Sequence, residues 1–599
     1  MLSFERKSFL LDLLGGHFAE KIIDAVKNGK KCRGSGDNWD TIIRRAHMTK
    51  DIQNEDLHLF ASNIIVNRIN FDHLQNESPK RDLKTAPNEI FTLNIQDLKV
   101  LKENFKVLVS RILIEFLPKF KFLSRVTPRH IKHRFSNEMS QKSTIITLPI
   151  IDANEASYND CAKILRTYEK WIFDIYKKAG LIARRPAPEN PGLLEVEARP
   201  DQPGAHMIDD KNDPMREMKI PFSGDQLTRV RFAGTKDLLA GAHTPSDRFE
   251  HCSPFKVAEF HTKASCLQYC YSLLFDLISI NQIGTLKYFR ERYNRKNVTP
   301  DKVLDSYDGC EDFFISVGRA YIVVAAMKFF GMNDENSYPT SNEFEANIMH
   351  KSTDTVKQYF DEAIGKFVNE FIFQTNQSPQ DGQEEDSIKN YGLCLIFLTL
   401  VILQLKDTAA EGDGDRNLIN QKLLLQIFKS LNNYSKYAIE MFVSIAQIEC
   451  ISTDRMAEEL KWGFFSNWKG GEGNNLEDDL VQEICNGISK NAVKRMGGNK
   501  TIKSISKICQ ATSGIKEIVE NFDKNMNISK RSVSHTTRSA LEDEKSMINE
   551  LIELNPFQHI SGRHHLGFEN IKRNPMKYLN FADLRSWLDR HKKHMSVQR

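Results

Sequence analysis

Two aspartates follow the same dipeptide. Ser35-Gly36-Asp37 lies within KKCRGSGDNWDTIIRRAH, and Ser223-Gly224-Asp225 within EMKIPFSGDQLTRVRF. Carboxylates that converge at strand ends hold Mg²⁺ or Mn²⁺, hard cations that take oxygen ligands. Two such ions, about 4 Å apart, activate a water or a 3′-hydroxyl and stabilise the leaving oxygen of a phosphodiester. A third carboxylate is offered by NNLEDDLVQEICNGISKNAVKR, where Asp479 and Glu483 stand four apart and share one face of a helix. Glu483 is the preferred ligand and Asp479 the second. AAEGDGDRNLINQK supplies second-choice acids at Asp413 and Asp415, next to Glu411. It lacks the closing Glu of an EF-hand loop, and its plainer reading is a helix cap formed by Asp415. The plainer reading extends to Asp37 and Asp225, since Gly-Asp is common in turns and Asp before a helix is an ordinary N-cap.

The chain around these acids decides whether they can meet. Residues 5–28 have helical periodicity. DLHLFASNIIVNRI (56–69) and STIITLPIID (143–152) are β-rich. SYNDCAKILRTYEKWIFDIYKKAG (157–180) is an amphipathic helix ended by Gly180. MKIPFSGD predicts a strand, QLTRVRFAGTKDLLAGA a helix with an irregular middle, and PFKVAEF another strand that His261 ends. From about 263 to 465 the pattern is helical, and GGEGNN (470–475) precedes a last helical region. Strand, strand, strand, helix, strand, helix, strand, then helices is the element order of a ribonuclease-H-like α/β domain with an all-helical insertion. Alternating strands and helices imply a parallel portion. In that order Asp37 lies on the first strand, Asp225 ends the fourth beside it, and Glu483 follows the insertion. The expected plan is an N-terminal helix (1–30), an α/β core (31–262) with a Pro-rich surface insert (186–214), a helical insertion (263–465) with its own core, a helical return (466–530) and a helical tail (531–599).

Bulk composition excludes several classes. The 599 residues are too many for one ordinary core, and 40% hydrophobic with 27% charged content is globular. With 83 basic against 79 acidic residues, the net charge of +4 rules out a polycation, so any nucleic-acid contact must be local. Ten cysteines without a CxxC pair fit a reduced, intracellular protein. YGLCLIFLTLVILQL (391–405) is shorter than the roughly 20 apolar residues of a membrane span and predicts a buried helix. Neither GxxxxGK[ST] nor GxSxG is present. His251, Cys252, His261, Cys266 and Cys270 are close in sequence, but their spacing fits no standard zinc site. Basic runs interleaved with aromatics suit a nucleic-acid backbone. They are KFKFLSRVTPRHIKHR, with Lys119, Lys121, Arg125, Arg129 and Lys132; LKYFRERYNRKN, with Arg290, Arg292 and Arg295; and LRSWLDRHKKHM. The same runs also read as solvated helix faces.

Several longer stretches resemble one family. They are GDNWD with LHLF, FSGDQLTRVRFAG with HTPSDRFEHC, EGDGDRNLINQKLLLQIFKS with YSKYAIEMF, and WGFFSNWKGGEGNNLEDDLVQE. Together, over about residues 30–530, they look like domain of unknown function 6589, a eukaryotic family. The family carries no established activity; its distribution and motif order look like those of a transposase-derived, ribonuclease-H-like protein. Joined to the carboxylate reading, the expectation is a protein that acts on DNA, with Mg²⁺ or Mn²⁺ as cofactor, in the nucleus rather than the cytoplasm. The resemblance also implies that a separate DNA-binding domain is missing or lies outside this chain. After its glutamate the family continues with His and then Asn-Arg, where this chain has Ile484 and Gly487. Three functions follow: an active or decayed transposase-like nuclease, a non-enzymatic nucleic-acid or chromatin binder, and a helical interaction scaffold. Proximity of Asp37, Asp225 and a third acid separates the first two from the third.

Overall fold

The computed structural model describes residues 4–44, 47–51, 53–182, 213–373, 385–431, 434–496, 500–528 and 540–597. Most of the Pro-rich stretch, 186–212, lies outside the described residues. The N-terminal segment forms two helices, α1 (Phe4–Gly15) and α2 (Phe18–Lys27).

A five-stranded sheet in the order β3-β2-β1-β4-β5 organises the first layer. β1 (Cys32–Ile43) and β2 (Glu55–Val66) are twelve-residue strands, paired antiparallel from Cys32↔Val66 to Ile43↔Glu55. β3 (Ile145–Thr147) joins β2 antiparallel, and a bridge from Phe60 to Ile151 continues the contact. β4 (Phe222–Gly224) lies parallel to β1, and β5 (Phe255–Val257) parallel to β4.

Period-two alternation sends successive side chains of β2 to opposite faces. Phe60 and Ile64 pack with α2, α4 (Tyr158–Lys178) and α5 (Gln226–Leu238). Leu57, Leu59 and Ala61 pack with Trp39, Val493, Ile505 and Ile508 on the other face. The helix α5 is regular throughout, against the irregular middle expected of it.

The helical block begins with α6 (Glu259–Leu274), so His261 opens a helix rather than ending a strand. At its centre are α7 (Tyr307–Phe330) and α8 (Ser387–Glu411), with Leu398 fully buried. Both are long and apolar enough to cross a membrane by length and composition, and 78% of each apolar window is buried inside the molecule. The core of the block is wider than 263–465. It takes in α3 (Ile95–Phe116) and the segment to Leu123 from the first half of the chain. From the end of the chain it takes in α15 (Leu541–Leu554) and α16 (Phe581–Val597). Further helices α9 (Gly414–Ser430), α10 (Ser435–Ala446) and α11 (Asp454–Lys461) complete it.

A short ladder of β6 (Phe465–Asn467) and β7 (Asn475–Glu477) then leads to α12 (Asp478–Lys494), α13 (Ile502–Gln510) and α14 (Thr512–Asn525). Val493 of α12 and Ile505 and Ile508 of α13 cover the Trp39 face of the sheet. All ten cysteines are buried and unbridged.

Candidate functional site

The two Ser-Gly-Asp tripeptides are paired in register. Ser35 is the Cα partner of Ser223 in the parallel β1–β4 ladder, with Gly34 opposite Phe222. Side chains at equal levels of a parallel pair face the same side. Asp37 and Asp225, each two residues on, therefore arrive together at the face that α12 covers. Neither glycine has room for a side chain. A Cβ on Gly36 would stand 2.6 Å from the Phe60 ring, and one on Gly224 2.7 Å from the Thr228 side chain.

Polar contacts hold α12 on that face. Trp39 Nε1 donates to Ser489 Oγ at 2.8 Å, and Asn63 donates to Gln482 Oε1 at 2.7 Å. Gln482 donates to Asn486 at 2.8 Å, and Asn486 Nδ2 donates to Asp37 Oδ2 at 3.3 Å. The helix start is fixed by a buried ion pair: Arg33 Nε meets Asp478 Oδ2 at 2.6 Å, and the guanidinium also donates to the Phe465 carbonyl at 2.9 Å.

Four acids cluster here. Asp37 is half-buried, and its carboxyl is held well above the ordinary range, first by burial and then by the charges of Glu483, Glu155 and Asp225. Glu155 is 1% exposed and is pushed up to about 7 by burial, against the hydrogen bond from the Thr228 hydroxyl, with Asp225 and Asp40 adding to the rise. Glu483 is exposed at the rim. Asp225 accepts from the Thr228 N–H at 2.7 Å and so caps α5, as its plainer reading expects.

Asp479 lies on the same helix as Glu483 but is buried and differently employed. It accepts from the backbone N–H groups of Phe260 and His261, each at 3.1 Å, and meets His261 Nδ1 at 3.0 Å. Burial alone would lower the His261 pKa. The Asp479 hydrogen bond and charge, joined by Asp225 and Asp37, raise it to about 9. An imidazolium therefore faces the acids.

Among the described residues no group of three or more His, Cys, Asp or Glu side chains is arranged to hold a metal ion. The acids share a field without sharing a ligand point.

Glu155 escapes sequence reading because it belongs to no motif. Its signal is positional: Ile151 bridges Phe60, and Phe60 pairs with Asn38, so the chain after β3 ends level with Asp37. His261 enters the sequence reading only as a strand end and as a zinc candidate. Of that group, His251 is instead buried between Glu169 at 2.6 Å and Asp213 at 2.7 Å, while Cys266 and Cys270 lie in the helical core.

The second-choice acids are elsewhere. Asp413, not Asp415, caps α9, accepting from the Asp415 and Arg416 N–H groups at 3.0 Å and pairing with Arg416 Nε at 2.7 Å. Asp415 pairs with Arg134 and Lys461, each at 3.0 Å. Most of the basic candidates are also engaged. Lys119 lies 3.9 Å over the Tyr338 ring, Arg125 donates to the Lys351 carbonyl at 2.9 Å, and Lys132 pairs with Glu472. Arg290 donates to the Val298 carbonyl at 2.7 Å, while Arg292 and Arg295 meet Glu550 and Asp312, each at 3.3 Å. Among the described residues Lys121 and Arg129 are exposed and enter no ion pair.

The model of the family of unknown function DUF6589 matches residues 80–535. The chain belongs to that family. The matched DUF6589 stretch holds Glu155, Asp225, Asp479 and Glu483, while Asp37 and the rest of β1 precede it. No curated protein and no solved structure matches the chain.

Proposed function

We propose that this DUF6589 chain is a transposase-derived, ribonuclease-H-like, DNA-processing protein of the nucleus. One observation carries the reading: the in-register pairing of the two Ser-Gly-Asp tripeptides brings Asp37 beside Asp225. The strand order β3-β2-β1-β4-β5, with two antiparallel joins followed by two parallel ones, is the order of that fold and supports it. Asp37, Asp225 and Glu483 are the catalytic acids, with Asp479 and the unforeseen Glu155 behind them.

The donor set suits Mg²⁺ or Mn²⁺ in kind. Carboxylate oxygens are the ligands hard cations take, and Glu483, Glu155 and Asp225 add to what burial does in raising the Asp37 carboxyl. Among the described residues these oxygens do not converge on one ligand point, so binding requires the side chains to rearrange. When bound, such ions supply Lewis-acid stabilisation of a phosphodiester in transfer. The chain's own part is orientation. Asn486 holds Asp37, Thr228 holds Asp225 and Glu155, and Asp479 keeps His261 charged toward an incoming phosphate. Lys121 and Arg129 are free to meet a nucleic-acid backbone.

The second reading, a nucleic-acid-binding scaffold without catalysis, is favoured by the absence of a converged ligand set among the described residues and by the capping role of Asp225. Melting with and without millimolar Mn²⁺ or Mg²⁺, alongside nicking of supercoiled DNA, separates the two. The nuclease reading expects metal to raise the melting temperature by mass action and to support nicking, with both effects lost in Asp37→Asn. DNA binding with neither effect leaves the scaffold. A wild-type protein that ignores metal and DNA alike removes both.

A further inference from the structure

A cavity of about 800 Å³ opens at the other end of the parallel strands, where the sheet layer, the helical block and α16 meet. It is reached from Lys31 at the start of β1, Phe255 on β5, Ala233 on α5, Phe442 on α10 and Met595 on α16. Such a volume suits a small organic molecule.

Glu459 of α11 lines this cavity, and its side chain is unusual. It is 5% exposed, and Oε1 has no hydrogen-bond partner. Buried carboxylates are ordinarily paired or hydrogen-bonded, because an unmatched acceptor has lost its water for nothing. Its neighbour on the helix, Glu458, is by contrast fully used by Arg134, Lys461 and Trp462.

The cations nearest Glu459 are committed to other acids. Arg455 lies 3.4 Å from Glu217 and 3.8 Å from Asp72, and donates to the Asp72 carbonyl at 3.0 Å. Lys31 donates to the Glu217 carbonyl at 3.4 Å and lies 3.9 Å from Asp72. Two cations thus stand among three carboxylates, Glu459 included. Of the other cations on the wall, Arg229 pairs with Glu440, and Lys219 and Lys236 with Glu250, while Arg33 and Arg68 line a smaller cavity on which Glu459 also borders. The same wall carries the apolar side chains Met456, Val443, Phe442 and Phe255 beside polar ones such as Gln447, Ser452 and Thr453.

We propose that this cavity binds a small organic cation, with an amine or amidine head on Glu459 and an apolar body against Phe442 and Phe255. The site is separate from the carboxylate cluster and stands or falls without it.

Benzamidine and its neutral counterpart benzyl alcohol are the probes, titrated calorimetrically into the full chain. Benzamidine binds wild type saturably, and hydrogen exchange slows over 454–461 and 226–238. Glu459→Gln weakens it roughly tenfold or more, as loss of a charge-assisted hydrogen bond implies, while leaving benzyl alcohol unchanged. Ala233→Trp, which fills the cavity without touching the carboxylate, abolishes binding of both. Equal benzamidine affinity in Glu459→Gln, protection elsewhere in the chain, or no binding to wild type at millimolar concentration overturns the proposal.

Discussion

Ser35-Gly36-Asp37 and Ser223-Gly224-Asp225 are the same tripeptide in two settings. The first lies in the middle of a twelve-residue strand, where both neighbours' ladders engage the backbone. Among the described residues its carboxylate finds only the Asn486 amide, at 3.3 Å, beside other acids. The second ends a three-residue strand at a helix start, where unused N–H groups wait, and Thr228 N–H satisfies it at 2.7 Å. Position along the strand, not residue type, decides which aspartate is left without a backbone N–H donor. The local sequence is silent on that difference, because it arises from where each strand stops.

The largest test breaks the setting of Asp37 alone. Its surroundings depend on α12, which the buried Arg33–Asp478 pair anchors. Asp478→Ala leaves the Arg33 guanidinium buried without its partner, a loss of about 3–5 kcal/mol. Chemical denaturation should show that drop. Hydrogen exchange should rise over α12 while α5, capped by Asp225, keeps its protection. Equal loss in both helices would mean that the two aspartates do not have separate supports.

The next test titrates the shared field. Glu155 is raised in the folded chain to about 7, from an ordinary 4.5. Between these values the folded state holds a proton that the unfolded state has released. Its stabilising contribution is therefore complete below about pH 4.5 and is lost as pH rises toward 7. Asp37, raised first by burial and then by the neighbouring acids, acts in the same direction. Glu155→Gln should remove a loss of stability of order 3 kcal/mol across that window. Metal-free melting from pH 4.5 to 7.5 measures it. A variant whose pH slope equals the wild type's would detach Glu155 from the cluster.

How much of this could be read in the chain follows from the same physics. Periodicity located the long helices and β2, because their burial is written in their own residues. β1 is harder to see: Gly34, Gly36, Asp37 and Asn38 disfavour a strand, and the twelve-residue pairing with β2 overrides them. The β6–β7 ladder was invisible at three residues per strand. Asp479 and Glu483 were correctly put on one helix, yet only the tertiary contact with the start of α6 buries one and leaves the other exposed. Asp413 displaced Asp415 as cap because α9 starts two residues earlier than a cap at Asp415 would place it. The basic runs reveal least of their pairing. Arg292 is matched by Glu550, and Arg295 by Asp312, partners that no local window contains.

The smallest test sharpens the comparison at Asp225. If its work in the metal-free protein is capping, Asn replaces it at little cost, since Asn caps as well as Asp. Ala should cost about 1 kcal/mol. Asp37→Asn has no cap to lose, and removes a charge from a crowded set. It should therefore raise metal-free stability at neutral pH. The pair of Asn variants reads the difference directly. Asp225→Asn should melt within a few tenths of a kcal/mol of wild type, and Asp37→Asn above it. If Asp225→Asn instead stabilised the protein as much as Asp37→Asn, the Thr228 contact would be incidental, and the two Ser-Gly-Asp stretches would be electrostatic equals. If both were neutral, the crowding at Asp37 would have to be relieved by some other group, and the case for a cation between them would lose its physical basis.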